Sequence, residues 1–196
     1  MKLQDDLPRG VTVSGKTYRM NFDFRRVLKM MEYLDRSDLF PGAREHLALS
    51  CVMRRPRGDK SAILAAVMEL LFPRDGKTMN REKITDFVQD ADMIRAAFWQ
   101  EYGINLYRAK LHWLEFRALL HGLPNGSRYT ETLSIRARPM PAATKYNQAE
   151  REWLMKAKEA CALEMSDDEK KRAYMQGVKT VFSGMLAMAE GGKTDG

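Results

Sequence analysis

Residues 102–124 read YGINLYRAKLHWLEFRALLHGLP and hold two of the chain's 3 histidines and one of its 3 tryptophans among several leucines. Gly103 stands where a helix would need a left-handed stop. Ile104 supplies the apolar residue that often follows such a stop, and Asn105 is a residue type that caps the next helix. The spacing predicts a helix from just after Asn105 to about His121, closed by Gly122 and Pro124. On a 3.6-residue period, Leu106, Ala109, Trp113, Phe116 and Leu120 share one face, widened by Leu111, Leu114 and Ala118. Arg108, His112, Glu115 and Arg117 fall on or near the opposite side. His112 is then a surface residue paired with Glu115, and His121 suits the negative helix end. Two histidines nine residues apart do not share a helical ligand geometry. Neither has a Ser or Cys nucleophile motif beside it, so packing explains this stretch better than chemistry does.

Upstream, Phe87, Ala91, Ile94, Phe98 and Tyr102 form another apolar stripe at helical spacing, so residues 87–124 should make a helical corner. Further back, VTVSGKTYRM (11–20) alternates around Ser14-Gly15 as a hairpin does. A helix should begin at Asn21 or Asp23, with Phe24, Val27, Leu28, Met31 and Leu34 inward. Helices are also expected over 41–55, opened by Pro41, and over 61–72, with Ser61 as N-cap. RYTETLSIRARPMP (128–141) reads either as a strand or as a short helix capped near Thr130; the helix is preferred. Two more helices are expected over about 145–164 and 167–189. Asp167, Asp168 and Glu169 after Ser166 form a capping box rather than a catalytic acid cluster.

Composition narrows the function classes. With 44% hydrophobic and 30% charged residues in 196, the chain should fold around a core. The start MKLQDDLPRG lacks a secretory apolar run, and AILAAVMELLF (62–72) is short and broken by Glu69, so a soluble, unexported chain without membrane contact is expected. Cys51 and Cys161 are isolated, with neither metal nor disulfide spacing. Gly76-Lys77-Thr78 looks like the end of a phosphate-binding loop, but the glycine required five residues earlier is Leu71; Gly192-Lys193-Thr194 fails likewise at Ala187. No catalytic, cofactor or metal residue is assigned, and no enzyme is expected.

The net charge of +7 leaves room for an anionic partner. Most basic residues alternate with acids; the local exception is RRPRGDK (54–60), with Arg54, Arg55, Arg57 and Lys60. A solvated inter-helix loop is the preferred reading, phosphate contact the lesser one.

As an ordered string, residues 86–123 resemble the bacteriophage "gene product fifteen" family of long-tailed phages and prophages, whose members are viewed as tail assembly chaperones. The matching elements begin with Asp86-Phe87, Asp90-Ala91, Ile94 and Ala97-Phe98. They continue through Tyr102-Gly103-Ile104-Asn105-Leu106 and Leu111-His112-Trp113 to Phe116, Leu119-Leu120 and Gly122-Leu123. Ile135-Arg136 and the N-terminal hairpin also fit. Asn105 departs from the acid common in the family while retaining capping ability. The motif residues are expected to hold the fold rather than to touch a client.

The residue pattern predicts a mainly α, multi-helix domain over residues 1–190, with a small hairpin at about 11–20, C-terminal helices at about 145–189 and a flexible tail at 191–196; the resemblance adds a family core at about 21–140. The resemblance implies a non-catalytic factor in the host bacterial cytoplasm, absent from the mature virion, with the tape-measure protein and the major tail protein as partners. Among the 14 methionines, Met30, Met31, Met185 and Met188 would suit an adaptable client surface, against the plainer reading that they fill the core. Gly191-Gly192-Lys193 is compatible with a slippery codon run, so a frameshift-extended form is a hypothetical partner, as is a second copy of the chain. The alternative is a basic phage structural or nucleic-acid-binding protein, resting on Arg54, Arg55 and Arg57; nucleic acid is the less expected partner.

Overall fold

The alternating residues at the N-terminus form an antiparallel hairpin, β1 (Gly10–Val13) paired with β2 (Lys16–Arg19). Ser14 and Gly15 both have positive φ, 49° and 76°, which gives the turn a twist that matches the strands. At the other end of the ladder Gly10 is required for space: a Cβ there would lie 2.1 Å from the Tyr18 carbonyl oxygen. The computed structural model describes residues 4–73 and 84–164. Met1–Ala162 form one compact unit, to which the elements below belong.

Seven helices follow among the described residues: α1 (Phe24–Asp35), α2 (Pro41–Val52), α3 (Lys60–Leu71), α4 (Ala91–Tyr102), α5 (Trp113–His121), α6 (Arg128–Ala137) and α7 (Gln148–Ala160). The fold is mainly α with an N-terminal hairpin, as the pattern implied. Asp23 caps α1 by accepting the Arg25 N–H at 3.0 Å. The cap of α3 is Asp59, whose carboxylate accepts the Ala62 N–H at 3.1 Å, and not Ser61, which lies exposed inside the helix. Residues 128–137 are helical, capped by Ser127 rather than near Thr130: the Thr130 N–H donates to the Ser127 hydroxyl at 3.2 Å. In each case the acceptor that reaches the free N–H groups lies one turn or less before the apolar stripe.

The main departure from expectation is in the opening stretch. Gly103 is left-handed, with φ 63°, and its N–H donates to the Trp99 carbonyl at 3.1 Å, while Ile104 reaches Phe98 at 3.2 Å. Asn105 does cap, accepting the Tyr107 N–H on its side chain at 2.9 Å. The turn it starts ends at Ala109, and α5 begins only at Trp113. The expected continuous helix from 106 is interrupted because an extended pairing takes the backbone at 111–113. The Phe24 N–H donates to the Leu111 carbonyl at 3.0 Å, and the Trp113 N–H to the Phe22 carbonyl at 2.7 Å, around an antiparallel bridge between Asp23 and His112. Leu106 and Trp113 are both buried, but not on one helical face.

The core closes over this crossing. Phe116 stacks against Phe24 on one side, with ring centroids 4.7 Å apart, and Phe98 on the other at 5.3 Å. Trp113 lies 5.7 Å from Phe116 and donates its indole N–H to the Leu71 carbonyl at the end of α3, at 3.2 Å. Rings of this size contribute on the order of 1.5–3 kcal/mol each by burial. Met30 belongs to this interior, fully buried, and so fills core space and offers no client surface, while Met31 packs half-buried against the core. Met185, Met188, the expected helix at 167–189 with its capping box, residues 74–83 and the expected tail at 191–196 lie outside the described residues.

Candidate functional site

His112 is half-buried and is a joint between segments, not the surface residue that helical spacing implied. Its Nδ1 accepts the Leu114 N–H at 3.1 Å, and its Nε2 lies 3.0 Å from the Pro8 carbonyl. An amide only donates and a carbonyl only accepts, so the ring is fixed as the neutral Nε2–H tautomer. Glu115 completes a capping box by accepting the His112 N–H at 2.9 Å. One ring nitrogen thus caps α5 and the other ties it to the N-terminal arm. His121 is exposed at the end of α5, as expected. Among the described residues, no group of His, Cys, Asp and Glu is arranged to hold a metal ion.

A second buried constellation joins Asp90 and Arg136, 46 residues apart. Arg136 Nη1 and Nη2 donate to the two carboxylate oxygens at 2.8 and 2.9 Å, and the side chains are 11% and 1% exposed. The rest of the fork is used too: Nη1 reaches the Ile84 carbonyl at 3.0 Å and Nε the Cys161 carbonyl at 2.5 Å. Asp90 also accepts the Asp86 N–H at 2.9 Å. Beside it the Thr85 and Tyr129 hydroxyls are 2.9 Å apart, and burial pushes the Tyr129 phenol above its usual value, against the opposing Thr85 hydrogen bond. A buried pair in which every guanidinium nitrogen and both carboxylate oxygens are already bonded within the fold is structural in character, and it fixes the start of α4 against α6 and the end of α7. Asp90 and Ile135-Arg136 were both visible as motif matches. That they form one pair was not, since charge type alone does not choose a partner across such a separation.

The remaining motif residues divide cleanly. Ile94, Phe98, Leu106, Trp113 and Phe116 are buried, and Phe87, Tyr102, Ile104 and Leu120 pack half-buried against them. The Tyr102 hydroxyl donates to the Leu119 carbonyl at 2.9 Å. None of these is offered to solvent as a reactive group.

What the motif segment does expose was missed by the periodicity. Trp99 on α4 is 58% exposed, and Tyr107 after the Gly103 corner is 70% exposed. The chain reversal brings Tyr107 back along α4, so that the Arg95 guanidinium lies 4.6 Å from its ring centroid. Asp92 holds the same guanidinium at 2.8 Å, and Trp99 is one helical turn beyond Arg95. A Trp, a Tyr and an Arg on one outward face have the composition of a protein-contact centre rather than of a reaction site. Val88, in the turn before α4, adds an apolar side chain 81% exposed.

Arg54, Arg55 and Arg57 are exposed in the loop between α2 and α3, and Lys60 is the first residue of α3. An open groove of about 570 Å³ is bordered by β1, α3 and α5; of its charged residues, Arg117 is already bound to the Leu71 carbonyl at 2.8 Å, and Glu69 is the other. No helix among the described residues is long and apolar enough to cross a membrane.

Comparison with known proteins agrees with the ordered motif. Neither the curated proteins nor the solved structures give a match. The model of one family, described as bacteriophage Gp15 protein, matches residues 3–163, which include the hairpin, the aromatic core, the Asp90–Arg136 pair and the exposed corner. The chain therefore belongs to the bacteriophage Gp15 protein family.

Proposed function

We propose that this protein is a non-catalytic tail assembly chaperone that binds the tape-measure protein in the host cytoplasm, assists assembly of the tail tube, and leaves before the virion is complete. The observation that carries this reading, beside family membership, is the exposed face of Trp99, Arg95 and Tyr107 on the motif segment itself. A chaperone for a long helical client needs an accessible apolar surface with directional polar anchors, and Trp, Tyr and Arg provide both. The buried motif residues act indirectly, by holding α4 and the Gly103 corner so that this face is formed before the client arrives.

Co-expression with the tape-measure protein of the same phage or prophage tests the reading. The client should become soluble and co-purify with this chain, and Trp99→Ala with Tyr107→Ala should abolish the complex while the variant stays folded. A client equally insoluble with and without the chain, and no complex, would sink the proposal. The structural or nucleic-acid alternative rests on Arg54, Arg55 and Arg57; it requires the chain to be present in purified virions or to bind DNA with a steep salt dependence, of about 0.9 per phosphate contact on a log-log plot.

A further inference from the structure

The arginine loop does not stand alone. The Asn21 N–H donates to the Val52 carbonyl at 2.7 Å, which ties the end of the hairpin to the end of α2 just before Arg54. The Tyr18 hydroxyl lies directly against Gly58, close enough that a Cβ there would be 2.7 Å away, and the Lys16 ammonium is 5.3 Å from the Tyr18 ring centroid. From the other side Arg26 of α1 donates to the Cys51 carbonyl at 3.0 Å, and the charges of Lys29 and Arg26 both act on the Cys51 thiol. Three elements thus bring Lys16, Arg26, Lys29, Arg54, Arg55 and Arg57 around the C-terminal end of α2, where the helix dipole favours cations. The acids facing this region are Glu32 and Asp59. Among the described residues, Arg54, Arg55 and Arg57 have no ion-pair partner, unlike Arg36, Arg95, Arg136 and Arg138.

We propose that this basic face docks an acidic, carboxylate-bearing segment of a protein partner, separately from the Trp99–Tyr107 face. Carboxylates fit it better than a phosphodiester chain does. The N-terminus of α3, the feature next to the loop that would hold a phosphate, is occupied by the Asp59 carboxylate at 3.1 Å from the Ala62 nitrogen. A continuous line of phosphates would pass over that fixed negative charge, whereas carboxylates spaced along a helix or strand can sit on either side of it. Base stacking has no platform here either, because the Tyr18 ring is half-buried under Lys16. Arginine forks bind single carboxylates in two-point fashion, and three of them on one loop suit spaced acids.

The inference does not rest on the tail-assembly reading, and its test is independent of the tape-measure protein. The full chain is titrated, with fluorescence anisotropy as readout, against a labelled helical peptide carrying Glu at i, i+3, i+4 and i+7, its Gln counterpart, a short DNA duplex and a single-stranded oligonucleotide. The Glu peptide should bind, the Gln peptide and both nucleic acids should bind at least about tenfold more weakly, and added salt should weaken the Glu complex. Arg54→Ser with Arg55→Ser and Arg57→Ser should lower affinity for the Glu peptide about tenfold or more without changing the melting temperature. Lys29→Gln, on a different element, should weaken it by a smaller factor in the same direction. Absence of Glu-peptide binding, or binding that the triple variant leaves unchanged, overturns the proposal. Nucleic acid bound as tightly as the Glu peptide also overturns it, by making phosphate the partner.

Discussion

The fold has two buried centres, and they hold the molecule by different physics. Around Phe116 the contacts are ring on ring, 4.7 Å to Phe24 and 5.3 Å to Phe98. Around Arg136 they are directional, with each guanidinium nitrogen matched to an oxygen of Asp90, Ile84 or Cys161. The aromatic centre gains from the removal of apolar surface from water and tolerates small shifts. The ionic one repays desolvation only while every partner is in place, so it specifies position more than it adds stability.

Breaking the aromatic centre should have the larger effect. Phe116→Ala is expected to cost about 3–5 kcal/mol, since it leaves a void between two rings that cannot close on each other, and urea denaturation followed by circular dichroism measures it. Arg136→Met should cost about 3 kcal/mol by stranding the Asp90 carboxylate, and adding Asp90→Leu should recover a good part of that loss. If the double variant is less stable than Arg136→Met alone, the ionic centre contributes more than position and the contrast drawn above is wrong. His112→Ala should cost about 1 kcal/mol through the lost cap, with His112→Asn closer to wild type because its amide oxygen can accept the same N–H.

The phenol at the edge of the ionic centre gives a pH test. Burial raises the Tyr129 pKa above the ordinary 10.0, so the folded state binds its proton more tightly than the unfolded state does. The associated stability is present in full below pH 10.0 and is lost as pH rises through the folded value. Thermal melts across alkaline pH, with tyrosinate absorbance in parallel, should show a decline that is shallower in Tyr129→Phe. Smallest of all, Trp99→Ala should change stability by no more than about 0.5 kcal/mol, because its ring lies outside both centres.

How much of this was legible in the sequence follows the same division. Burial at helical spacing identified Ile94, Phe98, Trp113 and Phe116, and a residue type bound to one conformation identified Gly103. These are local signals. The break before α5 was not legible, because Asn105 is a good cap and nothing between Leu106 and His112 forbids a helix; the backbone there is claimed by Phe22 and Phe24 from the far end of the chain. The partner of Asp90 was hidden for the same reason. At the candidate surface, Trp99 and Tyr107 passed as ordinary aromatics until the Gly103 reversal put Tyr107 on Arg95. The basic loop was visible as a string, but its enlargement by Lys16, Arg26 and Lys29 needed the hairpin and α1 to be brought beside it.

The crossing of residues 22–24 with 111–113 also bears on the order in which the chain can mature. The two strands of that crossing are separated by roughly ninety residues, a loop whose closure must be compensated before any of its contacts form. On a ribosome, the hairpin and the first three helices emerge well before Trp113 and Phe116 exist to cover Phe22 and Phe24. A nascent chain of this protein therefore carries uncovered aromatic surface for a long stretch of its synthesis, and slow translation through residues 84–110 should raise its tendency to aggregate.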